Sequence, residues 1–221
     1  MGEELRQFRR QLREELLARR SALLPAARAA AAAAVCDFLE ALAPELPDGP
    51  LAFYWPIREE IDIRPFASRE AARGRLLALP VIVAKKAPLQ FRRWFPGVPM
   101  TSGIWDIPIP APDEPLFPAT VIVPLVGWDR AGFRLGYGGG YYDRTLAQLR
   151  PRPLVIGIGF AFARLADIQP QPHDQRLDLA VCEEGIERFT VTARSMGAEV
   201  VACASPPCLA HEIDPAFRDL G

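Results

Sequence analysis

The chain is almost without lysine. Lys85 and Lys86 are the only two among 26 basic residues, so the other 24 are arginine. That drift removes most of the meaning from any single choice of Arg over Lys. Histidine is equally scarce. His173 and His211 are the only two, which excludes a His-rich metal centre. Four cysteines, Cys36, Cys182, Cys203 and Cys208, are too few and too scattered for a disulfide framework. An excess of charge is missing too. With 26 basic and 27 acidic residues the net charge is −1, so no global cationic field draws nucleic acid or an anionic membrane. Any anionic ligand must be gripped by a local cluster. Long apolar runs are absent as well. The alanine run at 29–34 is bracketed by Arg28 and Asp37, a window of eight uncharged residues, against the roughly 20 needed to span a bilayer. Residues 1–20 are charged throughout and do not read as a signal peptide. These absences predict a soluble, cytoplasmic protein in a reducing compartment.

What remains is ordinary globular material: 221 residues, 50% hydrophobic and 24% charged, enough for one domain or two small ones. Over 3–20, Leu5, Phe8, Leu12, Leu16 and Leu17 recur at helical spacing opposite a charged face. The alanine-rich stretch 26–42 predicts a second helix, ended by Pro44 and Pro47. From Leu51 the pattern changes to short apolar runs at 51–54, 76–83, 89–95, 120–126, 154–160 and 177–181, which predict strands, the second of them broken at Pro80. Helices are predicted at 66–75 and 141–149, and proline-rich and glycine-rich loops at 96–118 and 127–140. Strands alternating with helices predict an α/β fold with a largely parallel or mixed sheet.

The informative segment is Arg134-Leu-Gly-Tyr-Gly-Gly-Gly-Tyr-Tyr-Asp143. Gly136, Gly138, Gly139 and Gly140 lie between a predicted strand and a predicted helix. Bare backbone N–H groups there can converge on an anion, and the helix N-terminus adds about half a positive charge. Arg134 supplies a formal charge. Asp143 falls in the first helical turn, where it can cap the helix or hold Mg²⁺ beside a phosphate. The spacing is neither the dinucleotide fingerprint nor a P-loop. A glycine-rich surface loop with Asp143 as a plain cap is the competing reading, and the flanking Arg, paired tyrosines and Asp favour phosphate over it.

The same string resembles the 5-formyltetrahydrofolate cyclo-ligase family, also called methenyltetrahydrofolate synthetase. Trp128-Asp129 before it reinforces the likeness, as do Trp55-Pro-Ile-Arg-Glu-Glu-Ile-Asp62, Trp105-Asp-Ile-Pro-Ile-Pro110, Pro172-His-Asp174 with Asp178, and Leu12-Arg13. These segments follow the family's order over 5–184. The resemblance implies a single α/β domain, with a mixed, mostly parallel sheet flanked by helices in a three-layer αβα, NagB/RpiA/CoA transferase-like arrangement. It implies ATP-dependent cyclisation of 5-formyltetrahydrofolate to 5,10-methenyltetrahydrofolate, with release of ADP and phosphate and a requirement for Mg²⁺. Partners are then a reduced folate and ATP, with no nucleic acid and no membrane, and the chain is expected to be a monomer.

Residue by residue, the resemblance implies an ATP site of Arg9, Arg13, Arg134, Gly136, Tyr137, Gly138, Gly139, Gly140, Tyr141 and Tyr142. Arg134 and Tyr142 are implied to be catalytic. Asp143 and Asp174 match the metal carboxylates. Trp55, Glu60, Trp105 and Tyr141 match the substrate pocket, where a pterin suits aromatic walls and a carboxylate that accepts its N–H groups. For Arg9 and Arg13 the bare alternative is a solvated basic face, and for the two Trp residues it is core packing. Tyr137 and Gly139 stand where the family usually has basic residues, which keeps open a non-catalytic folate- or nucleotide-binding relative. A sugar-phosphate isomerase on the same architecture is a second rival. The expected boundaries are a cyclo-ligase domain over 1–188 and an extension over 189–221 that carries Cys203 and Cys208.

Overall fold

A computed structural model of the protein describes residues 2–189. The expectations for the extension and its two cysteines lie outside the described residues. The helices are α1 (Gly2–Ser21), α2 (Pro25–Leu42), α3 (Arg64–Ala72) and α4 (Tyr141–Gln148). The first six strands are β1 (Leu51–Ala52), β2 (Leu77–Ile82), β3 (Leu89–Trp94), β4 (Met100–Ser102), β5 (Pro108–Pro110) and β6 (Thr120–Pro124). The remaining six are β7 (Gly127–Asp129), β8 (Arg134–Leu135), β9 (Leu154–Ile158), β10 (Arg164–Leu165), β11 (Leu179–Cys182) and β12 (Gly185–Arg188).

The main sheet has the order β12-β11-β9-β6-β1-β2-β3. Its five inner strands are parallel, and each edge strand is antiparallel to its neighbour. This is the mixed, mostly parallel α/β sheet that the sequence predicts. Strand alternation sorts its side chains cleanly. Leu51, Phe53, Leu77, Leu79, Ile122, Ile156, Ile158, Leu179 and Val181 pack on one face with α2 and α3. Ala52, Ala78, Val121, Val123, Val155, Ala180 and Cys182 pack on the other with Leu16 of α1 and Leu146 of α4. The second set is smaller. Leu125 and Leu177 fill the space over Gly157, where a Cβ would meet them at 2.7 and 2.8 Å.

Three local outcomes depart from the sequence reading. Pro80 does not break its strand. Leu51 and Phe53 donate to Leu76 O and Ala78 O, so the even-numbered residues of β2 face β1. The next rung would need an N–H from Pro80, and the β1 ladder stops there. The proline-rich stretch contains the β4–β5 hairpin, and the glycine-rich stretch contains the β7–β8 hairpin. In the latter, Asp129 Oδ1 accepts from Ala131 N at 2.9 Å and Phe133 N at 3.0 Å, closing the turn.

Connections fix where a ligand can lie. β1 reaches β2 through α3 on one face, whereas β6 reaches β9 through α4 on the other. The chain therefore turns opposite ways at the β1–β6 junction. Open α/β sheets bind ligands in the crevice beyond the carboxyl ends of strands at such a switch point. α1 lies over the same end. Gly127 admits it closely, since a Cβ there would stand 2.9 Å from Leu16 Cδ1.

Candidate active site

Three segments meet beyond the carboxyl ends of β1 and β6: the loop after β1, the glycine loop after β8, and the loop before β11. α1 ties the last two together. Arg9 NH2 donates to Asp174 Oδ2 at 2.6 Å, and its Nε to Ile168 O at 3.2 Å. One turn on, Arg13 Nε donates to Gly136 O at 2.7 Å, with its guanidinium against Gly138. The basic-face alternative for this pair gives way. Both arginines are tied down, and their shared carboxylate leaves one positive charge over. Burial, then the charge of Arg9, lower the Arg13 pKa, with Asp174 opposing.

The glycine loop is framed by arginines. Arg134 is buried, donating from NH2 to Asp143 Oδ1 at 2.8 Å and from NH1 to Gln175 O at 2.9 Å. Asp143 Oδ1 also accepts from Gln175 N at 3.0 Å, so Asp143 binds the glycine loop to the Asp174 segment. Gly140 caps α4 at φ 65°. A side chain there would be strained and would stand 2.8 Å from Arg144 NH1. Arg144 donates to Gly139 O at 2.8 Å and lies 5.0 Å over the Tyr141 ring. The start of α4 thus gathers N–H groups and guanidinium charge in one place.

The aromatic residues divide. Trp105, 68% exposed, meets Tyr141 edge to face at 5.9 Å. Its own φ of 60° and the 58° of Asp106 hold it outward on a strained bend. Trp55 follows β1 directly and lies under the Arg64 guanidinium at 4.7 Å, so α3 rather than the loop holds its ring. Tyr142 lies 5.9 Å from Arg134. Burial, then the charge of Glu60, push its hydroxyl well above the usual range, with Arg134 opposing. It stays neutral at physiological pH.

Glu60 is fixed on both oxygens. Oε2 accepts from Ile57 N at 2.9 Å, and Oε1 accepts from the Tyr137 hydroxyl at 2.8 Å. Burial raises its pKa, against the hydrogen bonds from Ile57 and Tyr137 and the charges of Arg20 and Arg58. The side chain of Tyr137 is thus on Glu60, while only its backbone belongs with the glycine loop. Sequence reasoning missed Arg20, which donates to the Tyr137 hydroxyl at 3.0 Å. A signal was there. Arg9, Arg13, Leu16 and Arg20 follow at steps of four, three and four, one stripe of a helix.

The pattern of the 5-formyltetrahydrofolate cyclo-ligase family matches residues 6–183. The chain belongs to that family. A 5-formyltetrahydrofolate cyclo-ligase of Mycolicibacterium smegmatis is 32% identical over 172 residues, 74% of this chain and 88% of that protein. The cyclo-ligase of Mycoplasma pneumoniae is 43% identical over 63 residues, but the match spans only 38% of its length. In three dimensions the Aquifex aeolicus 5,10-methenyltetrahydrofolate synthetase superimposes with a TM-score of 0.71 at 25% identity, covering 92% of this chain and 96% of that one. The Mycoplasma pneumoniae synthetase gives 0.66 at 26% identity over 79% of this chain and 98% of its own. Of the residues expected from sequence, Arg9 bonds to Asp174, Arg13 to Gly136, Arg134 to Asp143 and Tyr137 to Glu60, Trp105 meets Tyr141, and Trp55 packs with Arg64 instead.

Proposed function

We propose that the chain is a 5-formyltetrahydrofolate cyclo-ligase, closing 5-formyltetrahydrofolate to 5,10-methenyltetrahydrofolate at the expense of ATP. The observation that carries this reading is the meeting of the glycine loop with Glu60 at the switch point, 2.8 Å apart through Tyr137. A phosphate cradle and a carboxylate suited to pterin N–H groups share one crevice there. The reaction needs that adjacency. The formyl oxygen takes the γ-phosphoryl group and ADP departs; N10 then attacks the activated carbon, loses its proton, and phosphate leaves.

Phosphoryl transfer asks the protein for alignment and charge rather than a covalent nucleophile. The amides of Gly136 to Gly140 with Arg9 and Arg13 would hold the polyphosphate. Arg134, already oriented by Asp143 and Gln175 O, would stabilise charge that develops on the transferred group. Tyr142 would donate a hydrogen bond beside it. Glu60 would orient the pterin against the aromatic surface of Trp105 and Tyr141, with Trp55 further out beside Arg64.

Among the described residues no three His, Cys, Asp or Glu side chains form a metal cluster. Two carboxylates still fit Mg²⁺, which commonly takes one or two protein oxygens plus substrate phosphates. Asp143 accepts through Oδ1 from Arg134 and Gln175, and Asp174 through Oδ2 from Arg9 and Gln171, which leaves Oδ2 of the first outside these bonds and Oδ1 of the second 4.0 Å from His173 Nε2. Mg²⁺ held there would neutralise phosphate charge. No single described helix is long and apolar enough to cross a membrane. The free, buried Cys36 and Cys182 support a reducing, cytoplasmic setting, and the net charge of −1 supports a protein without a nucleic-acid partner.

The test is absorbance of the methenyl product when protein meets 5-formyltetrahydrofolate and MgATP. Product formation with one ADP per turnover supports the proposal. ATP binding with no product would instead leave a binding-only relative.

A further inference from the structure

Arg20 is the least explained charge among the described residues. It lies in the last turn of α1 with only 3% of its surface exposed. Among the described residues no carboxylate lies within ion-pair distance of it. NH1 donates to the Tyr137 hydroxyl at 3.0 Å, NH2 donates to Leu125 O, and Nε is buried with no acceptor. A buried cation without a direct counter-ion is costly, and a chain folded only for stability would replace it with an apolar residue of similar volume. The nearest compensation is indirect. The hydroxyl that accepts from Arg20 donates to Glu60, so the charges of Arg20 and Glu60 are joined through one oxygen.

We propose that Arg20 is a positioning residue of this site: its buried guanidinium fixes the Tyr137 hydroxyl, and that hydroxyl fixes the Glu60 carboxylate across the crevice. The inference rests on the cyclo-ligase reading and adds to it the residue that sets the folate carboxylate. The hydroxyl has one proton, and Arg20 can only donate. Arg20 therefore forces the tyrosine proton toward Glu60, which keeps that carboxylate an acceptor. Without Arg20 the hydroxyl is free to rotate, and Glu60 loses an opposite charge.

Other groups around Glu60 do not substitute. Arg58, on the same loop, is exposed and lies 5.5 Å over the Tyr137 ring. Tyr54 at the end of β1 spends its hydroxyl on Ile61 O at 2.6 Å. Tyr142 of α4 is held neutral by burial. Burial disfavours the ionised form of Glu60, and the Arg20 charge and the Tyr137 hydrogen bond both favour it. Removing either partner therefore weakens folate binding most on the acid side.

The test compares Arg20→Gln, Arg20→Lys and Tyr137→Phe with the wild type in the cyclisation assay. In Arg20→Gln the KM for 5-formyltetrahydrofolate should rise about tenfold near pH 6 and only about twofold near pH 8, with the KM for ATP unchanged. Arg20→Lys should recover most of the loss. Tyr137→Phe, at a half-exposed position, should move the same limb by a smaller factor, and it carries the test alone if Arg20→Gln fails to fold. A pH-independent loss in an active variant, or an equal rise in both KM values, overturns the role of Arg20. A folded wild type that makes no methenyl product overturns the cyclo-ligase reading and this inference with it.

Discussion

Both ends of the parallel sheet gather charge, and they hold it differently. At the amino end a groove of about 680 Å³ is lined by Glu40, Glu70, Arg73 and Arg75, among others. These four charges are paired. Glu70 pairs with Arg73 at 2.7 Å and Arg75 at 2.8 Å, and Glu40 pairs with Arg69 at 2.5 Å and Arg73 at 2.7 Å. At the carboxyl end two charged side chains keep a buried donor without an acceptor, Arg20 Nε and Arg144 Nε, whereas at the amino end the one such side-chain atom among the described residues is the neutral Thr120 Oγ1, and Trp105 presents a ring to solvent. A hollow alone does not mark a functional site. Polar capacity left unused marks it better, because a buried donor without a partner carries a cost that a ligand can relieve.

The comparison breaks most visibly at Arg134. Arg134→Gln should lower kcat by about 100- to 1000-fold, the range for loss of one group that stabilises transition-state charge. The KM for folate should stay within about threefold. If the variant instead loses stability and keeps its turnover when folded, the carboxyl end is a structural network like the amino end. Steady-state rates beside circular dichroism separate the two outcomes.

Much of this contrast was legible in the sequence, and the gaps have physical causes. The central strands were readable because Val121 to Val123 and Val155 to Ile158 are apolar on both sides, as a buried parallel strand must be. The β7–β8 hairpin was not, since Gly127, Asp129 and Gly132 look like loop residues. Its pairing is short and depends on Asp129 accepting backbone N–H groups from across the turn. The β4–β5 hairpin hid behind Pro108 and Pro110, tolerable in a two-stranded ribbon whose outer edge needs no donor. Arg134 and Asp143 could be named from their motif, but that they pair with each other could not. Arg20 was half legible: its place on the stripe with Arg9, Arg13 and Leu16 could be read from the helix, but its bond to Tyr137, 117 residues away, could not.

The amino end supplies the next test. Glu70 is 3% exposed between two arginines. Glu70→Gln should destabilise the fold by about 2 kcal/mol, below the usual figure for breaking a buried pair because Arg73 is half exposed. The urea midpoint should fall while kcat per folded molecule stays the same. A drop in kcat at constant stability would mean that the groove takes part in function.

Trp105 sharpens the other side. Trp105→Ala removes an exposed ring, so the urea midpoint should not change. The KM for folate should rise about tenfold, the low end of what stacking on one aromatic ring contributes, with the KM for ATP unchanged. Equal rises in both values would show that the ring supports the glycine loop through Tyr141 rather than the pterin.

The smallest effect is on stability at Glu60, and its sign distinguishes the two ends. Burial raises the pKa of Glu60 in the folded protein, so the folded state favours the protonated form. Its favourable contribution is complete below the ordinary carboxylate range and is lost as pH rises through the raised value. At neutral pH the ionised side chain therefore costs stability. Glu60→Gln should raise Tm by about 1–3 °C near neutral pH, and the gain should vanish in acid, where wild type and variant both carry a neutral group. The same substitution should weaken folate binding. At Glu70, removing the charge should lower Tm instead. If Glu60→Gln lowers Tm at every pH, then Glu60 is held in the fold as Glu70 is, and the distinction between the two ends fails at that residue.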